Sequence, residues 1–97
     1  MTRSMTQCYK ATVTGKVQGV GFRRATQAQA LLRQITGHAI NLADGRVEVV
    51  MYGRREALAE LCEWLWQGPP AAHVTHVEFE SRDVPAEERA PADFTTR

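Results

Sequence analysis

Two adjacent arginines, Arg23 and Arg24, follow a stretch that carries glycine at 15, 19 and 21: Gly15-Lys16-Val17-Gln18-Gly19-Val20-Gly21-Phe22-Arg23. Glycines between a strand and a helix let successive backbone N–H groups converge on one concavity, which suits a phosphate-like anion. The start of a helix adds unpaired N–H groups and a partial positive charge. A first helical turn ordinarily favours Asp or Glu, so two arginines there oppose the dipole at a cost of about 0.3–1 kcal/mol each. An anion seated between the helix end and a guanidinium removes that conflict. A guanidinium can also grip two phosphoryl oxygens in one plane, which an ammonium cannot. A glycine-softened connection with two solvated arginines accounts for the same residues without a ligand. The pattern matches neither the G-x-x-x-x-G-K-S/T loop nor the dinucleotide G-x-G-x-x-G turn.

The second candidate is Asn41, just before the Asp44-Gly45 pair. Its carboxamide cannot serve as a general base. Its oxygen can accept a hydrogen bond from water while its nitrogen donates to a phosphoryl oxygen, which would hold that water in line for attack. Taken alone, Asn41 is also a plain polar residue near a hairpin end. His38 lies three positions away, so strand alternation points it to the opposite face, as a structural residue. His73 and His76 share no ligand spacing with other candidates. Cys8 and Cys62 are the only cysteines and show no C-x-x-C spacing, which favours reduced, mostly buried thiols over a metal site or a disulfide.

These residues depend on the elements around them. Tyr9, Ala11 and Val13 alternate with polar neighbours, the period of a half-buried strand over 8–14. Residues 15–21 read as a loop. From Phe22 the period changes, and Phe22, Ala25, Ala28, Leu32 and Ile35 predict a helix ending at Gly37. Residues 38–42 and 46–52 read as strands joined at Asp44-Gly45, with both turn positions tolerant of positive φ. Residues 55–66 form a second helix, with Leu58, Leu61 and Leu65 on one face and Trp64 and Trp66 as helix packing. Gly68-Pro69-Pro70 stops it. Residues 73–80 alternate again, residues 81–93 read as a surface loop with the charge run Glu87-Glu88-Arg89, and Phe94 to Arg97 adds a short edge strand. The order β-α-β-β-α-β predicts an α+β, ferredoxin-like sandwich, an antiparallel sheet with both helices on one face. That fold hosts many functions and assigns none.

Composition narrows the field. Ninety-seven residues at 43% apolar fit one domain with a modest core. Twelve basic and 11 acidic residues give a formal net charge of +1, too balanced for a broad field that would hold nucleic acid or an anionic membrane. No window approaches the roughly eighteen continuous apolar residues of a membrane span. A cytoplasmic monomer is the expectation, with residues 1–7 as a flexible leader and 8–97 as the domain. Met5 is a possible alternative start.

The loop motif through Arg23 closely resembles the acylphosphatase signature. A second signature follows in register as Gly37-x-x-x-Asn41-x-x-Asp44-Gly45-x-Val47-Glu48, and Gly53, Gly68-Pro69, Ala72, Val74 and Phe94-x-x-Arg97 are similar to the family too. The resemblance implies hydrolysis of small acyl phosphates without metal or cofactor. It implies that Arg23 and the backbone of Val17, Gln18, Gly19, Val20, Gly21 and Phe22 bind the phosphoryl group, and that Asn41 orients the water. It also suggests a contact between Arg23 and a terminal carboxylate on Arg97. His38, Ile40 and the 33–37 run depart from the family pattern around the second strand. Two other readings stand beside this one. One is a non-catalytic anion-binding or regulatory module. The other is the acylphosphatase-like domain of a hydrogenase maturation protein, which the lack of further cysteine motifs disfavours.

Overall fold

The structure is a computed structural model and describes residues 6–84 and 89–97. Residues 1–5 of the expected leader, and Glu87 and Glu88 of the charge run, lie outside the described residues. The chain forms β1 (Gln7–Lys16), α1 (Phe22–Leu32), β2 (Thr36–Asn41), β3 (Val47–Gly53), α2 (Arg55–Gln67), β4 (His73–Arg82) and β5 (Phe94–Thr96). The sheet runs in the order β4-β1-β3-β2-β5. Its first four strands pair antiparallel, as expected, but β5 pairs parallel to β2, with Gly37 opposite Phe94 and Ala39 opposite Thr96. The sheet is therefore mixed. Alternation reveals that a strand exists, but it carries no information about strand direction.

Both helices cover one face. Ala11, Val13, Ala39, Val47, Val49, Met51, Val77 and Phe94 supply the sheet side of the core, and Phe22, Ala30, Leu58, Leu61 and Leu65 the helix side. Each fully buried leucine of α2 contributes about 1.5–3 kcal/mol. The other face carries a small cluster of Cys8, Val50 and Tyr52. Beside it lies a solvated charge row in which Lys10 reaches Glu48 at 3.8 Å and Glu80 at 3.9 Å, and His38 reaches Glu48 at 3.8 Å. The Lys10–Glu80 pair, with both side chains exposed and 3.9 Å apart, contributes little. His38 is thus on the face opposite Asn41, as the alternation requires.

The first helix departs from its expected stripe. Its buried residues are Phe22, Thr26 and Ala30, while Ala28 is exposed and Leu32 is 77% exposed. Small alanines fit either side of a helix, so they mislead a count of apolar spacing. Thr26 can enter the core because its hydroxyl donates to the carbonyl of Phe22 at 2.8 Å. The helix ends at Leu32 rather than running to Gly37. Gln34 turns left-handed at φ 59°, its N–H donates to Leu31 O at 3.2 Å, and the N–H of Ile35 donates to Ala30 O at 2.9 Å. This 6→1 and 5→2 closure satisfies the last carbonyls and delivers Ile35, fully buried, to the core from outside the helix. In α2, Trp64 packs on the core with its ring 5.9 Å from Phe22, but Trp66 is 49% exposed and meets His76 edge-on at 6.0 Å.

Two local features aim the chain at one end of the sheet. The strand β1 runs past its expected end to Lys16, and its register against β4 shifts between Thr14 and Gly15. This bulge bends the strand before the loop begins. At Gly15 (φ 133°) an added Cβ would lie 2.1 Å from the carbonyl oxygen of His73. At the hairpin, the N–H of Leu42 donates to Arg46 O at 2.8 Å and that of Gly45 to Leu42 O at 3.2 Å. The connection is a three-residue loop, 43–45, in which Gly45 alone is left-handed (φ 96°); Asp44 is not.

Gly15→Ala is expected to lower unfolding free energy by about 3 kcal/mol or more, since strain and a backbone clash combine. Gly45→Ala meets nothing within 4 Å and is expected to cost only about 1–2 kcal/mol. Urea titration of the two variants checks the ranking. Burial pushes the Cys62 thiol up to about 11, and Cys8 is 1% exposed. Neither thiol should react with a disulfide reagent at pH 8 until denaturant is added; a fast-reacting thiol in the native protein would contradict this placement.

Candidate active site

The loop between β1 and α1 is held by its side chains. Val17 and Phe22 are each 1% exposed and anchor the two ends in the core, and Val20 packs partly against the same core. Gly19 and Gly21 are left-handed, at φ 74° and 78°, yet a Cβ on either would meet nothing within 4 Å. Conformation, not space, selects glycine at both positions. Left-handed residues interleaved with ordinary ones turn successive amides toward one side, the arrangement that receives an anion.

That concavity opens onto the start of α1. Gly21 is the N-cap, no side chain caps the helix, and its first turn holds no acidic residue. The N–H of Ala25 makes the helical bond to Gly21 O at 2.9 Å, so the amides of residues 22–24 have no acceptor within the helix. Arg23 and Arg24 stand in this already positive turn. Among the described residues, neither forms an ion pair with an Asp or Glu side chain.

The other half of the site comes from β2 and the chain end that pairs with it. Asn41 is the last residue of β2; it is exposed, and its side chain makes no hydrogen bond among the described residues. Its N–H donates to the main-chain oxygen of Arg97 at 3.4 Å, and Nη1 of Arg23 donates to that same oxygen. Arg97 is itself held by its N–H to Ala39 O at 3.1 Å. Further back, Gly37 N–H donates to Asp93 O at 3.0 Å, and Nε2 of Gln27 donates to Phe94 O at 2.8 Å.

One cleft of about 330 Å³ gathers these groups. Of the sequence-derived residues, Val17, Gly19, Gly21, Phe22, Arg23 and Asn41 line it, together with Arg24 and Thr96. Gln18 and Val20 do not. The side chain of Gln18 turns to the hairpin, donating to Leu42 O at 2.9 Å and Arg46 O at 3.0 Å. Thr96 is reached only through the parallel β2–β5 pairing, which nothing in the local sequence announces. Arg24 stands out in sequence by its charge against the dipole, but only the fold shows it beside the cleft. Asp44 points elsewhere: its carboxylate accepts from the N–H of Arg46 at 3.1 Å and from Nε at 2.7 Å. The Arg46 guanidinium holds the Asp44 carboxyl below its ordinary range, and both groups serve the turn. No described Asp, Glu or His lines the cleft. No described cluster of three or more His, Cys, Asp or Glu side chains is placed to hold a metal ion.

Such a cleft can hold a tetrahedral anion between main-chain amides and a guanidinium, with a carboxamide free at its rim. It offers no side chain suited to proton transfer. Comparison with known proteins points the same way. The acylphosphatase family model matches residues 9–96. An acylphosphatase of Halorhodospira halophila is 52% identical over 97% of this chain and 95% of its own length. One from Chromohalobacter salexigens is 58% identical over 81% and 88%. A solved acylphosphatase from Coxiella burnetii superposes with a TM-score of 0.86 at 42% identity, covering 95% of this chain and 93% of that one. With nearly the whole described fold matched in both sequence and shape, this chain belongs to the acylphosphatase family.

Proposed function

We propose that this protein hydrolyses the carboxyl–phosphate bond of small acyl phosphates to a carboxylate and inorganic phosphate, using Arg23 and the 17–22 amides to bind phosphate and Asn41 to place the water. The observation that carries the reading is the convergence of Arg23 and the unpartnered Asn41 carboxamide on one cleft at an uncapped helix start. Phosphoryl transfer asks a protein chiefly to position the reactants and to stabilise charge on the equatorial oxygens. Main-chain amides and a guanidinium suit that task, because both are donors fixed in direction before substrate arrives.

Proton chemistry is the part the cleft lacks, and this substrate class hardly needs it. The leaving group is a carboxylate, whose conjugate acid has a pKa near ~4, so it departs without a proton. The attacking water gives its proton to the substrate's own phosphoryl oxygen. Asn41 accepts one hydrogen of that water and donates to phosphate, which sets the line of attack. No metal enters this scheme. We take the setting to be cytoplasmic and the working unit to be a monomer; among the described residues no helix is long and apolar enough to cross a membrane, and no disulfide joins Cys8 and Cys62.

Purified protein is expected to hydrolyse benzoyl phosphate with no added metal, at a rate EDTA leaves unchanged. Arg23→Ala and Asn41→Ala should each lower kcat/KM by at least ~10²-fold. Arg23→Ala should also weaken competitive inhibition by inorganic phosphate, while Asn41→Ala leaves it near wild type. Circular dichroism establishes that each variant is folded. Wild-type turnover in a folded variant removes that residue from the mechanism. A wild-type protein that binds phosphate but turns nothing over favours the anion-binding module instead.

A further inference from the structure

Gln18 sits in the middle of the phosphate loop, yet its side chain is absent from the cleft wall. Its amide nitrogen has two hydrogens, and each meets a carbonyl: Leu42 O at 2.9 Å and Arg46 O at 3.0 Å. Two acceptors on one side identify that side of the carboxamide as the NH2 group. The same two carbonyls already close the β2–β3 connection, Arg46 O accepting from the N–H of Leu42 and Leu42 O from that of Gly45. Gln18 is therefore a bolt through the base of the hairpin, one residue beyond Asn41.

We propose that Gln18 is a positioning residue which sets the distance between the phosphate-binding loop and Asn41, acting on the reaction only through Asn41. The inference rests on the acylphosphatase reading and adds to it a link between its two halves. Without this link, Asn41 is located by its pairing with Val47 on one side and by the 3.4 Å contact to Arg97 on the other. Beyond it the turn residues 43–45 are exposed and held together by the Asp44–Arg46 pair. Nothing else among the described side-chain hydrogen bonds joins the 17–21 loop to this hairpin. The loop end of the link is anchored, since Val17 beside Gln18 is buried in the core and Gly19 turns left-handed after it. A terminal group that donates twice, carries no charge and has this reach is a property of glutamine. A glutamate carboxylate of the same length would face two carbonyl oxygens with no hydrogen to offer either.

The test compares wild type with Gln18→Ala, Gln18→Glu and Gln18→Met in benzoyl phosphate hydrolysis, with inorganic phosphate as competitive inhibitor. All three are expected to lower kcat by ~10- to 100-fold, the scale of a misplaced reacting group. The inhibition constant for phosphate should stay within about twofold of wild type, because the loop amides and Arg23 are untouched. In an Asn41→Ala background, Gln18→Ala should cost less than about a further twofold, since its effect passes through the group already removed. Gln18→Met keeps the bulk and removes only the donors, so it gives the answer where Ala weakens the fold. A tenfold weaker phosphate inhibition with kcat unchanged would overturn the proposal, as would a full additional loss in the Asn41→Ala background. Active wild type with wild-type-like Gln18 variants sinks this link alone; inactive wild type sinks both it and the activity on which it rests.

Discussion

The main-chain oxygen of Arg97 accepts hydrogen bonds from two residues that the chain otherwise keeps apart, the guanidinium of Arg23 on α1 and the backbone N–H of Asn41 on β2. A long arginine side chain in a positive helix turn would ordinarily swing toward solvent, away from the dipole. An oxygen fixed at the end of β5 gives one of its N–H groups a partner and leaves the others free. The site depends on β5, which is short but is held by its parallel pairing with β2, by the bonds of Arg97 to Ala39 and Asn41, by the N–H of Gly37 to Asp93 O and by the Gln27 side chain to Phe94 O. Through that strand, the position of one main-chain atom is transmitted to the charge that faces the cleft.

The remaining parts follow a common logic, in which the side chains of the loop fasten it to the rest of the fold. Val17, Val20 and Phe22 are turned to the core and Gln18 to the hairpin, so the loop between Val17 and Phe22 offers the cleft no side-chain functional group. Amides are neutral and cannot be titrated away, and their direction is set by glycine dihedrals rather than by side-chain rotamers. On the proposed function, a site of this kind loses little entropy when the anion arrives. The cleft is correspondingly plain in its chemistry, with positive charge and hydrogen-bond donors and no proton acceptor of suitable strength.

Much of this was legible in the sequence where one physical signal dominated. The leucines of α2, the glycines of the loop and the Gly68-Pro69 stop each have one physical meaning, and the elements they mark formed within a residue or two of expectation. The first helix read poorly because alanines count as apolar on any face, while Thr26, polar by type, is buried through a bond to its own helix. Ile35 continued the helical spacing but reaches the core from a left-handed turn at Gln34, a conformation that glutamine does not advertise. Asn41 could be singled out by motif, yet its nearness to Arg23 is a product of sheet order. Gln18 and Thr96 changed standing once the tertiary partners were known, since a side chain's direction out of a glycine loop has no local signature.

The parallel pairing of β2 with β5 joins Gly37 to Phe94, so the cleft is finished by residues at the far end of the sequence. Closing a contact between positions so far apart in the chain costs loop entropy that local contacts do not. During synthesis, the residues of α1 and of the loop before it are made well before the oxygen that accepts from Arg23. The loop by itself and the complete cleft then differ by the docking of β5 and Arg97. On the proposed function, turnover in a folding experiment reports that docking, whereas the fluorescence of Trp64 and Trp66 reports the packing of α2.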